Sequence, residues 1–282
     1  MEIESLRVMI GGYNCNAACP FCITKMMGAG KEAPKTNWRK FDTACNYSMK
    51  GGAQSVIISG PGEPTLYPKD LTETLRKLEK YQFPLIELQT NGYYISTKEY
   101  NKNLQKWYKQ GLTTILLSIL SQDSTINSKA MNIPYYNIED NIKKIHSFNY
   151  SLRMSCVMYR GGVNSPETLE SLINFARKNK VEQLTVRPIM KPPNPKGAVY
   201  EWVKKNELST IEQKRILEYL ESKGARILKL SLGGIVYDIE GQNVAAIGWP
   251  TTVPPDEDLK QLLILPNGKL NFDKRYRGAV LL

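Results

Sequence analysis

Short apolar runs alternate with stretches of helical periodicity along the first two thirds of the chain. SLRVMIGG at residues 5–12 is typical of a strand, and Trp38, Phe41 and Cys45 then follow at helical spacing before a Gly-Gly stop. This strand-then-helix pattern occurs five more times, so it predicts six strand–helix units. The other strand candidates are QSVIISG, PLIELQTNG, TTILLSIL, SLRMSCVMY and EQLTVRPI.

Two of the predicted helices carry clear start signals. Ser165 followed by Pro166 is typical of an N-cap and a first helical residue. Ser209 and Glu212 have the spacing of a capping box. Strands that alternate with helices in this way favour a parallel sheet whose strands are joined by crossover helices.

The pattern changes after about residue 228. LGGIVYDIEGQNVAAIGW and LLILPNGKLNF are typical of β-hairpins, and the second is expected to turn at its PNG triplet. We therefore predict an α/β unit over residues 1–225 and a small antiparallel β-hairpin extension over residues 226–282. The extension is expected to cap the larger unit as a lid or floor.

Composition excludes several classes of protein. The 282 residues are 41% hydrophobic and 23% charged, as in ordinary globular domains. The sequence shows no apolar run of about 18 residues and no signal-peptide pattern at its start. We therefore expect a cytoplasmic location and no membrane partner. The net charge of +11 indicates an anionic partner, unless the lysines simply solvate outer helices.

Chemically distinctive residues follow the predicted strands one after another. A cysteine-rich loop follows the first strand, GPGEPTLYP the second and Thr90-Asn91-Gly92 the third. Ser118 lies near the end of the fourth, YRGG ends the fifth and Arg187 ends the sixth. In a parallel barrel these carboxyl ends share one rim, where binding and chemistry collect. We therefore predict a single site.

The cysteine-rich loop places Cys15, Cys19 and Cys22 within eight residues of a chain that has five cysteines and one histidine. A closed zinc site needs four ligands, and Cys45 and Cys156 fall in apolar patterns that predict core positions, while His146 is expected at the surface or boundary. Thiolates also bind iron–sulfur clusters, and three cysteines on a cube of four irons leave one iron open. A zinc knuckle completed by a carboxylate and a loop of free thiols remain as alternatives.

The C-x3-C-x2-C spacing, with Phe21 before the last cysteine, resembles the signature of the radical S-adenosylmethionine (radical SAM) superfamily. GPGEP at residues 60–64 resembles the Gly-Gly-Glu-Pro motif of that family, although Pro61 stands where a glycine is usual. The resemblance covers about residues 5–190. It implies an α/β fold, a partial (β/α)6 TIM-like barrel, for the unit over residues 1–225.

The resemblance also implies ligands for the cofactors. Cys15, Cys19 and Cys22 would hold a [4Fe–4S] cluster, whose open iron would chelate the amino and carboxylate groups of S-adenosyl-L-methionine (SAM). Gly62 and Glu63 would bind the amino group of its methionine portion.

Further site residues follow from the same resemblance. Pro64 would fix the turn after Glu63, Phe21 would lie against the adenine and Ser118 would reach the ribose. Arg153 or Arg187 would pair with the SAM carboxylate, or else carry a charge at the rim or towards the substrate. Asn91 is a further candidate, with turn formation as its alternative role.

The implied activity is that of a radical SAM enzyme. It would cleave SAM reductively to a 5′-deoxyadenosyl radical, which abstracts hydrogen from the substrate, and it would need an external one-electron donor similar to flavodoxin or ferredoxin. The subclass stays open among oxidoreductases, lyases and transferases. The single histidine agrees with little need for ordinary acid–base catalysis.

The substrate is a separate hypothesis. No cysteine follows Cys156, which argues against auxiliary clusters. We expect a small anionic substrate, nucleotide- or phosphate-like. Radical modification of a peptide, a protein or tRNA is the alternative, and a non-catalytic iron–sulfur sensor is the alternative from another class. The basic residues behind the anionic hypothesis are Lys25, Arg160, Arg187, Lys191 and Lys196.

Overall fold

The computed structural model describes residues 2–26, 36–191, 196–230, 233–249, 260–272 and 279–281. The named strands in these ranges form one sheet of eleven strands. They are β1 (Ser5–Met9), β2 (Ser55–Ser59), β3 (Leu85–Thr90), β4 (Thr114–Ile119), β5 (Ser151–Met158), β6 (Gln183–Pro188), β7 (Ala225–Lys229), β8 (Ile235–Ile239), β9 (Gln242–Ala246), β10 (Gln261–Ile264) and β11 (Leu270–Asn271).

The α-helices of the same ranges occupy the connections between strands, and two of them consist of a single turn. They are α1 (Ile23–Met26), α2 (Phe41–Lys50), α3 (Pro68–Leu78), α4 (Tyr93–Ser96), α5 (Asn101–Lys109), α6 (Ser124–Met131), α7 (Ile138–Ser147), α8 (Pro166–Lys178), α9 (Ala198–Asn206) and α10 (Thr210–Lys223). No helix in the described ranges combines the length and apolar character needed to cross a membrane.

Strands β1 to β6 lie side by side in chain order, and every neighbouring pair among them is parallel. One or more helices connect each strand to the next, as the six predicted strand–helix units require. The prediction of an α/β fold with a parallel barrel-like wall is therefore confirmed. The rim formed by the carboxyl ends of these strands carries the loops that the sequence singles out.

The C-terminal strands do form antiparallel hairpins, but they do not form one appendage. Strands β7, β8 and β9 extend the sheet beyond β6, with β9 parallel to β6. Strands β10 and β11 extend it beyond β1, with β10 parallel to β1. The physical reason is that β1 and β6 would otherwise be open edges with unpaired backbone groups. The boundary near residue 225 and a capping role for these strands stay predictions.

The core lies between the outward face of the sheet and the helices. Cys45 on α2 and Cys156 on β5 are both fully buried in it, which confirms their predicted core positions. His146 lies at the boundary on α7, where its Nε2 is 3.3 Å from a carboxylate oxygen of Glu182. None of these three groups belongs to the rim.

The two predicted helix starts are confirmed. Ser165 begins α8 and Ser209 begins α10, and each side chain accepts a hydrogen bond from the backbone N–H of the third helical residue in a reciprocal capping box. The short helices α1, α4 and α6, and helix α9, were not predicted. Three of them are too short for apolar periodicity to show, and α9 follows a proline-rich stretch.

Candidate functional site

A cavity of about 630 Å³ opens at the carboxyl ends of the parallel strands. The cysteine loop, the GPGEP loop and the loop after β3 all line it, and so do Ser118 of β4 and Arg187 of β6. Residues from five separate positions in the sequence thus meet at one place. The sixth predicted segment, YRGG after β5, is not among the residues that line this cavity.

Gly62 lets the GPGEP loop dock directly on the cysteine loop. A Cβ atom at Gly62 would lie 2.0 Å from the carbonyl oxygen of Asn14, so no other residue fits without moving a backbone. The next residue completes the contact, because the N–H of Glu63 donates to the same oxygen at 3.0 Å. The backbone carbonyl of Pro61, which stands where a glycine is usual, accepts from the Thr24 hydroxyl at 2.6 Å and so joins this loop to α1.

Glu63 is buried and its carboxylate accepts four hydrogen bonds. Oε1 accepts from the N–H of Thr65 at 3.0 Å, the Thr65 hydroxyl at 2.7 Å and the Thr90 hydroxyl at 2.6 Å. Oε2 accepts from the N–H of Asn91 at 2.9 Å and retains capacity for a further donor. Burial raises the pKa of Glu63, and these hydrogen bonds oppose the rise. The side chain therefore ties the loop after β2 to the loop after β3.

Asn91 connects three segments of the rim. Its Nδ2 donates to Oδ1 of Asn16 at 2.9 Å and lies 3.9 Å from the sulfur of Cys15. The backbone carbonyl oxygen of Asn91 accepts from the hydroxyl of Tyr136 at 2.7 Å. The following Gly92 adopts a left-handed φ of 82°. Asn91 thus shapes the turn and lines the cavity, so its two predicted roles do not exclude each other.

The three cysteines of the loop all line the cavity. Cys19 is held against α6, where its sulfur lies 3.8 Å from the carbonyl oxygen of Met131. Burial raises the pKa of Cys19 to about 12, and the neighbouring thiols of Cys22 and Cys15 add to the rise. Thiolates crowded in this way need a strong positive partner, and a metal centre supplies one because it deprotonates the thiols that it binds.

Within the described ranges, no three His, Cys, Asp or Glu side chains are close enough to hold a single metal ion. This spacing does not conflict with a [4Fe–4S] cluster, because a cube places each thiolate on a different iron and so separates the three sulfurs. The chemistry of the donor set, three thiols lining one cavity, therefore fits a cluster of that kind.

Phe21 lies between the cavity and an aromatic cluster that the sequence did not reveal. Its ring centroid is 5.6 Å from that of Trp202 on α9, and Trp202 is also 5.6 Å from Tyr159. Pairs at this separation stabilise each other beyond simple area burial. Helix α9 thereby covers the outer side of the cysteine loop.

The two arginines expected at the SAM carboxylate lie in different places. Arg187 lines the cavity, whereas Arg153 is absent from its lining. Arg153 points to Glu87 within the barrel, with its Nη1 at 2.5 Å from Oε2 of that carboxylate. Of the two, only Arg187 therefore lines the same cavity as the cysteine loop.

Three of the four other basic residues of the predicted rim contact groups of the chain itself. Lys191 pairs with Glu207 at 3.0 Å, and Arg160 lies 3.8 Å from Glu212. Lys25 donates to the carbonyl of Cys19 at 3.1 Å. These contacts weaken the case that exposed rim lysines and arginines select the substrate.

Several residues of the site are not predicted from the sequence. Asn14 and Thr24 adjoin the cysteine motif, so their position beside it was a usable signal. Tyr136 and Trp202 come from distant segments, and nothing in their local pattern points to the rim. Only the folded chain brings them there.

The sequence profile described as the Radical SAM superfamily matches residues 9–177. Because this match covers more than half of the chain, the protein belongs to the radical SAM superfamily. Enzymes of this family use a [4Fe–4S] cluster and SAM, which are accordingly the cofactors of this chain. A search of curated proteins found no match to this sequence.

Solved structures resemble the fold over nearly the whole chain. SuiB of Streptococcus suis, solved with bound S-adenosylmethionine, has a TM-score of 0.69 to this chain at 17% sequence identity. The match covers 98% of this chain and 61% of SuiB. The chain thus spans less than two thirds of SuiB. The protein anSMEcpe with bound AdoMet has a TM-score of 0.61 at 14% identity, with 97% of this chain covering 75% of it. Methylornithine synthase (PylB) has a TM-score of 0.57 at 15% identity, with coverage of 92% and 77%.

Proposed function

We propose that this chain is a radical SAM enzyme that cleaves SAM reductively and acts on a small anionic substrate. The observation that carries the proposal is the meeting of three cysteines with the Gly62–Glu63 turn at one cavity. A loop of thiols alone serves many purposes, but a buried carboxylate and a backbone-docked glycine beside it form a site for a bound amino acid portion.

Cys15, Cys19 and Cys22 would hold the cluster. When bound, it would supply the electron that breaks the C5′–S bond of SAM, which gives methionine and a 5′-deoxyadenosyl radical able to abstract hydrogen from the substrate. The electron itself must come from an external one-electron donor of the flavodoxin or ferredoxin kind.

The remaining site residues would position SAM. Oε2 of Glu63 has room for one more donor, and the SAM amino group provides it, with Gly62 and Pro64 fixing the turn that presents the carboxylate. Asn91 holds this turn against the cysteine loop. Ser118 lines the cavity on β4, in a position to reach the ribose.

Phe21 offers an apolar face to the adenine, and other apolar side chains exclude water from the reacting atoms. Leu120, Met131 and Val157 line the same cavity on the side of β4 to β5. A radical must be kept from solvent and stray side chains, so an apolar wall at this point suits the chemistry.

The small anionic substrate is supported by positive charge inside the barrel, since Arg187 lines the cavity. A peptide is the second candidate, because SuiB has also been solved bound to its precursor peptide SuiA, at a TM-score of 0.66 to this chain. A tRNA substrate and a non-catalytic sensor are the remaining alternatives. A reducing cytoplasm stays the expected location.

Anaerobic reconstitution with iron and sulfide, followed by reduction with dithionite, tests the proposal. We expect bound iron, and 5′-deoxyadenosine on addition of SAM, even without substrate. Cys19→Ser should abolish both. Cys45→Ser is the matched control, because this thiol is fully buried in the core, and it should retain both.

Two results would contradict the proposal. A folded wild-type protein that binds no more than stray iron would remove the cluster from the site. A fully loaded protein that forms no 5′-deoxyadenosine would favour the sensor.

A further inference from the structure

The inward face of the parallel strands carries an excess of positive charge. Residues such as Leu6, Val8 and Val186 face the helices and belong to the main core, so the alternating positions face the interior of the barrel. On β1 to β6, all of which the structure describes, the inward-facing charged residues are Arg7, Glu87, Arg153 and Arg187. Three positive charges thus face one negative charge.

The single inward carboxylate is already used. Glu87 is fully buried and binds Arg153 at 2.5 Å, and its Oε1 also accepts from the amide of Gln89 at 2.8 Å. The charge of Glu87 also acts on Arg7, because this carboxylate opposes the fall in the pKa of Arg7. One carboxylate therefore faces three guanidinium groups, and a net positive charge remains on the inward face.

Arg7 has neutral hydrogen-bond partners only. It donates to Oε1 of Gln261 at 3.2 Å, to the hydroxyl of Ser59 at 3.2 Å and to Oε1 of Gln89 at 3.0 Å. These acceptors fix its position but do not neutralise its charge. Burial lowers the pKa of Arg7, Glu87 opposes this, and the positive charge of Arg187 lowers it further, so the two arginines lie within reach of each other's field.

Arg187 differs from Arg7 and Arg153 in its side-chain contacts. It lines the cavity, and within the described part of the chain it has no hydrogen bond to a side chain and no ion pair. The surrounding barrel wall lowers its pKa by removing bulk solvent. A planar guanidinium in this position presents a free donor fork to whatever enters the cavity.

A row of hydroxyl groups lies one inward position deeper than Arg187. Ser118, Ser155 and Thr185 are in register on β4, β5 and β6, so they share one face at a spacing of roughly 4.8 Å between strands. Thr185 is 5% exposed, and its hydroxyl has no hydrogen-bond partner among the described residues. A buried unpaired hydroxyl costs free energy unless a ligand satisfies it.

We propose that Arg187 and Thr185 bind an oxyanion group of the substrate, a carboxylate or a phosphate, inside the barrel, with Arg7 adding a second positive charge. This inference rests on the proposed function, because it locates the anionic group of that substrate. The sixth strand lies away from the loop that is expected to bind the methionine portion of SAM. Glu63, which would accept a hydrogen bond from the amino group of SAM, lies in the loop after β2, and Arg187 lies on β6, four strands farther along the sheet.

Titration calorimetry on the cluster-loaded protein with SAM present tests the inference, using inorganic phosphate and acetate as separate probes. The wild type should bind at least one probe, and the preferred probe identifies the oxyanion. Arg187→Gln should weaken that binding by about 10-fold or more, as expected for loss of a charged hydrogen-bond donor. Arg187→Lys should recover part of it, because the charge returns without the fork.

Two further variants keep the test decisive if Arg187→Gln folds poorly. Thr185→Val keeps the volume and should weaken probe binding by about 3-fold or more, as for a neutral hydrogen bond. Arg160→Gln makes the same charge change at the rim, on a residue that lies 3.8 Å from Glu212, and should leave probe binding unchanged.

Three results would overturn the inference. Binding of neither probe by the wild type removes the site, and equal losses in Arg187→Gln and Arg160→Gln make the effect one of net charge. A higher Kd for SAM in Arg187→Gln, with probe binding intact, assigns this arginine to the SAM carboxylate instead. Formation of 5′-deoxyadenosine by the same preparations is measured separately, so failure of the proposed function is recognised independently.

Discussion

The loops after β1, β2 and β3 differ in construction from the inner wall formed by β4, β5 and β6. In the loops, the buried carboxylate of Glu63 accepts four hydrogen bonds from the chain itself. On the wall, the hydroxyl of Thr185 and the guanidinium of Arg187 have no such partners in the described ranges. The first region is preorganised for a cofactor that never varies, whereas the second leaves donors open for a ligand.

This difference also explains why short sequence motifs are found in the loops and not on the inner wall. Loops that dock by backbone contact need a particular residue at each step, such as glycine at position 62, where a Cβ would collide with a carbonyl. A strand tolerates any side chain that fits its inward position. A ligand site on the wall, as we propose, would therefore leave no short sequence motif.

The largest expected effect breaks the docking of the two loops. Gly62→Ala would place its Cβ 2.0 Å from the carbonyl oxygen of Asn14, so one backbone must move. We expect 5′-deoxyadenosine formation to fall by about 100-fold or more, since misplacement of about 1 Å has that effect on catalysis. Product analysis by mass spectrometry on loaded protein measures it.

Gly241→Ala is the control for backbone strain. Gly241 has a φ of 85° in the β8–β9 turn, and a Cβ atom added there would meet no other atom within 4 Å. The change should therefore cost about 1–2 kcal/mol of stability and no activity. Equal activity in Gly62→Ala and the wild type would contradict the docking role.

An intermediate effect is expected from Glu63→Gln, which keeps the shape but replaces an acceptor oxygen by a donor amide. Four donors point at this carboxylate, so at least one would be left facing another donor. We expect a loss of about 1.5–3 kcal/mol in unfolding free energy and about 10-fold weaker SAM binding. Denaturant unfolding and equilibrium dialysis provide the two measurements.

Glu73→Gln on α3 is the matched control, because its ion pair with Arg76 is exposed. It should change stability by less than about 1 kcal/mol and leave SAM affinity unaltered. A Glu63→Gln protein as stable as this control would show that the four hydrogen bonds do not hold the loops together.

The smallest effect is expected at the outer rim. The Lys191 side chain is 66% exposed and forms an ion pair with Glu207. Lys191→Ala removes this pair, so the free energy of unfolding should change by about 1 kcal/mol or less. Turnover of any identified substrate should stay within about 2-fold of the wild type by the same reasoning. A loss as large as that of Arg187→Gln would move substrate recognition from the wall to the rim.

Much of the fold was predictable because the spacing of apolar residues along the sequence indicates which face of a helix or strand is buried. Apolar stripes such as Leu71, Leu75 and Leu78 predicted the helix now seen as α3, and all three are buried. The order of strands and helices then predicted the parallel wall. The division of the C-terminal strands between both sheet edges was not predictable, because hairpin signals are local and the choice of partner strand is not.

The sequence by itself determined the cysteine loop, the Gly-Glu-Pro turn and the alternation that builds the wall, because each depends on neighbours within a few residues. Only the tertiary structure decided that Arg153 is neutralised by Glu87 while Arg187 is left open, and that Trp202 covers Phe21. The partners in these pairs are far apart in the sequence, and such a contact exists only once the strands and helices have packed together.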